Sequence, residues 1–122
     1  MASMERRTCA RFLVPDTLVD WQVVGKSGVF GHGSRLGDLS RGGLRLLTPE
    51  PPAVGDRLRL VLRVSDSEPL SVLGAVVRRS PSTGQIHDVG VAFAPYGSGS
   101  DDNAQGVLDT LSALEARFRT SG

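Results

Sequence analysis

Arg57-Leu58-Arg59-Leu60-Val61-Leu62-Arg63-Val64 alternates without a break. Leu58, Leu60, Leu62 and Val64 point one way; Arg57, Arg59, Val61 and Arg63 point the other. A helix gathers residues three and four apart, whereas a strand gathers every second residue. This stretch is therefore a strand with an apolar face for a core and a basic face for water.

Working outward, the same period recurs. In Thr17–Val23, Thr17, Val19, Trp21 and Val23 share one face. Gly25–Gly33 reads as a glycine-rich connection. Ser34–Leu39 and Gly43–Leu47 read as a pair of short strands joined by Ser40-Arg41-Gly42. The segment 48–56 holds three of the seven prolines and reads as a loop, since clustered prolines cannot sit in a central strand. Leu70–Arg79 and His87–Phe93 complete the strands, with a turn at Ser80–Gly84 between them. The tail changes period: Ala104, Val107, Leu108, Leu111, Leu114 and Phe118 recur at three and four, which predicts one amphipathic helix, with Ser100 or Asp101 as its cap. Strands followed by one helix point to a mainly β fold: a six-stranded antiparallel barrel with a C-terminal α-helix packed against it. The expected divisions are an arginine-bearing, flexible N-terminal arm (1–11), the barrel (12–96), and a linker with the helix (97–122).

The chain has 122 residues, 39% hydrophobic and 22% charged, the composition of one globular domain. Its net charge is +1, from 14 basic and 13 acidic residues. A general binder of nucleic-acid polymer needs a strong basic surplus, so that class is disfavoured; a small anion needs only a local arginine cluster. Aromatics at 5% also weigh against a barrel that stacks single strands. Cys9 is the single cysteine, so no intramolecular disulfide forms. No apolar run is long enough for membrane insertion, and no leader pattern is visible; the expected location is cytoplasmic.

Two motifs carry chemistry. Arg7-Thr8-Cys9-Ala10-Arg11 has the form RxxxR, and Asp38-Leu39-Ser40-Arg41-Gly42-Gly43 has the form DxSxxG. Each alone is common: the first reads equally as a solvated basic tail, the second as a hairpin turn. Together and in this order they resemble the ligand signature of PilZ domains, and the Gly90–Phe93 strand and the terminal helix are similar to that family's layout. The resemblance implies a receptor for the bacterial second messenger cyclic di-GMP, with Arg7, Arg11, Asp38, Ser40 and Gly43 at the ligand. It implies an arm that is mobile when empty and folds over the ligand when it binds. Arg6, just before the motif, goes with binding of an intercalated ligand dimer. The resemblance also implies a signalling protein and not an enzyme, with no cofactor beyond the ligand and with an effector protein as partner. A ligand-blind PilZ adaptor is the alternative.

The chemistry fits the residue types. Guanine offers O6 and N7 as adjacent acceptors, the edge an arginine fork reads with two hydrogen bonds. Arginine also pairs with phosphate and stacks on planar bases, which lysine cannot do. Asp38 supplies acceptors for guanine N–H groups, Ser40 can donate or accept, and Gly43 leaves room for close approach. Other constellations fail. Gly25-Lys26-Ser27 lacks the first glycine of a P-loop, since position 20 is Asp20. His32, His87 and Cys9 are scattered without metal-ligand spacing. Ser40 has no evident base partner for a hydrolase, and Asp101 and Asp102 read as helix-start charges. Trp21 reads as core, and Arg57, Arg59 and Arg63 as a solvated face.

Overall fold

In the computed structural model, which describes residues 10–81 and 84–118, Leu58, Leu60 and Leu62 are fully buried while Arg57, Arg59 and Arg63 face water. They form β4 (Arg57–Arg63). The other strands are β1 (Leu18–Val23), β2 (Phe30–Leu39), β3 (Gly43–Thr48), β5 (Leu70–Pro81) and β6 (His87–Phe93), followed by α1 (Gln105–Phe118). All pairings are antiparallel, and the order β1-β2-β3-β6-β5-β4 closes on itself through β1 and β4. Closure leaves no open sheet edge. Strands β3 and β4 are not neighbours, so the proline-rich segment between them crosses the end of the barrel.

The interior is filled by the alternating faces: Val19, Trp21 and Val23 from β1, Leu44 and Leu46 from β3, Val72 and Val76 from β5, Val89 and Val91 from β6. Removing each such side chain from water contributes roughly 1.5–3 kcal/mol. Trp21 belongs to this core, and its indole Nε1 donates to Ser34 Oγ at 3.3 Å, which satisfies the one polar atom it buries. Leu111 and Leu114 of α1 join the core cluster, with Val107 and Phe118 packed at its margin.

Three expectations need correction. Strand β2 begins at Phe30, not Ser34, so the glycine-rich connection is shorter than its composition indicates. Gly31 sits inside the strand because a Cβ there would meet Trp21 Nε1 at 2.2 Å. Gly33, at a φ of +68°, is part of a bulge opposite Asp20 and donates its amide to that carboxylate at 2.8 Å. Second, β5 continues through Pro81, so the turn begins later than Ser80. Third, neither Ser100 nor Asp101 caps the helix, which starts only at Gln105, and Ala104 is exposed ahead of it. What fixes the approach is Asn103. Its side chain accepts from Leu73 N at 2.7 Å and donates to Leu73 O and Ala94 O, both at 3.0 Å.

Candidate functional site

Asp38 stands near the end of β2, and a local irregularity decides where it faces. Inward residues of β2 are Ser34 and Leu36, so strict alternation would put Asp38 inside. The β2–β3 register shifts between Leu36 and Asp38, which makes Gly37 an extra residue. The bulge reverses the parity: Leu39 turns inward to full burial and Asp38 turns out onto the barrel wall.

There Asp38 meets the arm. Arg11 Nη1 donates to Asp38 Oδ1 at 3.0 Å. Arg45, opposite Asp38 on β3, lies with Nε 3.6 Å from Asp38 Oδ2, and its Nη1 donates to Asp88 Oδ2 at 3.2 Å. The result is a chain of alternating charge, Arg11, Asp38, Arg45, Asp88, across the arm and strands β2, β3 and β6. The segment just after Arg11 is held by its backbone and by apolar side chains. Phe12 and Leu39 exchange amide bonds of 2.8 and 2.9 Å, and Phe12 and Val14 are buried in the core cluster. Phe12 is thus the anchor that places Arg11 beside Asp38.

Ser40 opens the β2–β3 turn. Its Oγ accepts from the Gly42 and Gly43 amides, both at 3.1 Å, and donates to Gly43 O at 3.3 Å. The hydroxyl is therefore engaged in shaping the turn, as serine does at such positions. Gly43 faces a neighbouring strand closely: a Cβ there would lie 2.2 Å from the Val91 carbonyl oxygen. Close strand approach alone accounts for the glycine. The turn is also tied to the C-terminal end of the chain. Tyr96 Oη donates to Arg41 O, and Arg41 Nε pairs with Glu115 of α1 at 3.1 Å.

Of the residues singled out in the sequence, Arg11, Asp38, Ser40 and Gly43 come together at this wall. Arg6, Arg7 and Cys9 lie outside the described residues. Arg45, Asp88, Phe12 and Tyr96 were not singled out. Arg45 and Asp88 sit on outward positions of predicted strands, where charge is ordinary, so only their register opposite Asp38 marks them. The spacing of Leu36 and Leu39, three apart in a strand, was the available signal for the bulge.

The other charged cluster lies on the opposite side of β2. Asp20 receives Gly33 N, Arg63 Nη2 and His32 Nδ1. Burial works to raise its carboxyl pKa, but the Gly33 amide, the bond and charge of Arg63, and His32 together hold it below the usual Asp range. Asp56 is also held low, first by the Ala53 amide, against some burial, and then by Lys26. A hollow of about 390 Å³ lies at the far end of β1, lined by Gln22, Gly25, Lys26, Ser27 and Arg59 among others. It has no acidic reader and no DxSxxG turn, so the candidate site is placed at the Asp38 wall. Among the described residues no three His, Cys, Asp or Glu side chains group to hold a metal ion, and no helix is long and apolar enough to cross a membrane.

No curated protein sequence matches the chain. The solved structures that share its fold include the following two. One is the Bacillus subtilis inhibitor of motility (MotI/DgrA), with a TM-score of 0.70 at 16% identity over 95% of this chain and 52% of that one. The other is K. pneumonia MrkH in complex with c-di-GMP, with a TM-score of 0.67 at 18% identity over 95% of this chain and 54% of that one. This chain spans about half the length of either. The PilZ domain family model matches residues 5–106, from the arginine arm through the start of α1. A closed six-stranded barrel, a DxSxxG turn on its wall and Arg11 paired with Asp38 beside it agree with that match: the chain belongs to the PilZ domain family.

Proposed function

We propose that the chain is a cyclic di-GMP receptor that binds the nucleotide on the β2–β3 wall, closes its N-terminal arm over it, and presents the closed form to an effector protein. The observation that carries this reading is the meeting of the two motifs: Arg11 of RxxxR touches Asp38 of DxSxxG. The contact is weak by construction. Arg11 is 62% exposed, and exposed ion pairs contribute about 0–1 kcal/mol. Arg11 can therefore leave Asp38 for a ligand phosphate or guanine edge at little cost, freeing Asp38 to accept guanine N–H groups. Arg7 and Arg6 add guanidinium forks from the same arm. Ser40 and Gly43 act through the turn that presents Asp38. The ligand class is also that of the K. pneumonia neighbour. No catalysis and no cofactor are part of this reading, and the working location is the cytoplasm.

Calorimetric titration of cyclic di-GMP into the wild-type protein and the Arg7→Ala and Asp38→Ala variants tests it. Saturable binding to wild type, lost in both folded variants, is expected. Two ligand molecules per chain would support the role given to Arg6. Absence of binding at high nucleotide concentration would overturn the receptor reading. A second reading, a nucleotide-independent adaptor, is favoured by one feature: Phe30 is 62% exposed, with Val24 and Val29 also exposed beside it, at the end of β2 remote from Asp38.

A further inference from the structure

The outward arginines of β4 differ in what they meet. Arg57 Nη2 donates to Asp101 Oδ1 at 2.8 Å, and Arg63 Nη2 donates to Asp20 Oδ2. Lys26, on the adjoining turn, meets Asp56 at 3.2 Å. Arg59 stands between these neutralised cations and has no acidic partner among the described residues.

An unpaired arginine is ordinary on a surface, but its neighbours here are not. The register sets Phe30 of β2 opposite Gln22 of β1, Gln22 opposite Arg59, and Arg59 opposite the half-buried Leu73 of β5. Phe30 is a large, exposed aromatic, with Val24 and Val29 exposed beside it. Gln22 and Arg59 also line two hollows. One, of about 350 Å³, reaches Phe30 and Val61; the other, of about 390 Å³, reaches Lys26 and Ser27. An apolar seat thus adjoins one open guanidinium. Exposed apolar clusters mark interaction surfaces, and aromatics and arginine are enriched where proteins meet.

The charge pattern selects the occupant. A nucleic-acid polymer or an anionic bilayer is held by several free cations together. Here the cations flanking Arg59 already have carboxylates, and one guanidinium is left, the group that pairs best with a carboxylate. A two-fold pairing of this face with a second copy supplies no free acid, because Asp20, Asp56 and Asp101 around it are each engaged by a cation. In the closed order β1-β2-β3-β6-β5-β4, strands β1 and β4 lie across the barrel from β6 and β3. A partner on this row leaves the Asp38 wall open.

We propose that Phe30, Gln22 and Arg59 form the docking face for a partner protein, and that it takes a segment carrying a carboxylate next to an apolar side chain. The carboxylate pairs with Arg59, Gln22 hydrogen-bonds the segment's backbone, and the apolar side chain sits against Phe30 and Val61. This deepens the reading under which the chain signals to an effector protein, and rests on it. Partner and nucleotide then occupy opposite walls and do not compete.

Selection of a displayed random-peptide library on the wild-type protein, with and without cyclic di-GMP, tests this. Enrichment of peptides with Asp or Glu beside Leu, Ile or Phe is expected. A synthesised member is expected to bind Arg59→Glu and Phe30→Ser at least about tenfold more weakly, and Arg35→Glu, a like change of charge further along β2, within about threefold of wild type. Thermal melting checks that the variants fold, and cyclic di-GMP titrations of Arg59→Glu and Phe30→Ser are expected to match wild type. No enrichment, a consensus without a carboxylate, or a peptide whose binding survives Arg59→Glu would overturn the proposal. With no peptide enriched, self-association or binding to phosphatidylserine vesicles that Arg59→Glu abolishes would assign the face to a second copy or a membrane and overturn it likewise. The expected peptide pattern in a wild type that does not bind cyclic di-GMP would remove the receptor reading and leave the docking face to the adaptor.

Discussion

Asp20 shows how a single carboxylate writes itself into the pH dependence of the whole barrel. Its folded pKa is lowered, chiefly because the Gly33 amide, Arg63 and His32 outweigh the cost of burial. A depressed acid contributes stability that is present above the ordinary Asp range and is lost as the pH falls through the folded value. In urea denaturation the wild type is therefore expected to lose stability on acidification, and Asp20→Asn to be less stable near neutral pH with a smaller acid-induced loss. Equal acid sensitivity in the two proteins would remove Asp20 from this role. At Gly43 the decisive quantity is the 2.2 Å between an added Cβ and the Val91 carbonyl oxygen. The contact is to backbone, which cannot swing away as a side chain end can. Gly43→Ala is expected to destabilise the fold by about 1–3 kcal/mol, read as a lower urea midpoint, whether or not ligand is present. The glycine of the DxSxxG motif is thus first a packing residue, and an assay that scores only binding would mistake its loss for a lost contact. Ser40 is similar: its hydroxyl is legible as polar and near the ligand rim, but its geometric task is to close the turn.

Among the elements, α1 depends on a residue before it. Asn103, 3% exposed, bonds both backbone groups of Leu73 and the carbonyl of Ala94, joining the helix approach to β5 and to the end of β6. Asn103→Ala would take the partner from the half-buried Leu73 amide and Ala94 carbonyl, while Leu73 O keeps the Ala94 amide, and a loss of about 1–3 kcal/mol is expected in chemical denaturation. A change within a few tenths of that of an exposed control such as Gln105→Ala would contradict it. Asn103 was missed because an asparagine in a polar segment looks like turn chemistry, and its partners are remote in sequence. The helix itself was legible from Leu111 and Leu114, while its start was not, since Ser100 and Asp101 offered a cap that the chain does not use. The strands were legible wherever alternation was strict, β4 above all. They became opaque where glycines interrupt them. Gly31 and Gly33 read as a loop because the reason for them, the Trp21 indole and the Asp20 carboxylate across the sheet, lies on another strand. The bulges at Gly37 and, in β5 between Val76 and Arg78, at Val77 were hidden for the same reason: a bulge is a property of a pair of strands, not of one.

For the molecule as a whole, the closed barrel provides rigidity and the Asp38 wall provides an open face beside a segment held chiefly through Phe12. The fold class followed from period and punctuation, and the motif pair pointed to the family. The wall did not follow, because Asp38, Arg45 and Asp88 come together only when β2, β3 and β6 are set side by side. On the proposed reading, cyclic di-GMP binds on that wall, between the arm and the DxSxxG turn. The most direct test is a titration of the nucleotide followed residue by residue through backbone amide NMR shifts. Saturable shifts concentrated at Arg11, Phe12, Asp38, Ser40, Gly43 and Arg45, with the Gly25–Ser27 turn at the far end of β1 unmoved, are predicted. Shifts centred on Gly25–Ser27 or Phe30, or no saturable shifts at all, would contradict it.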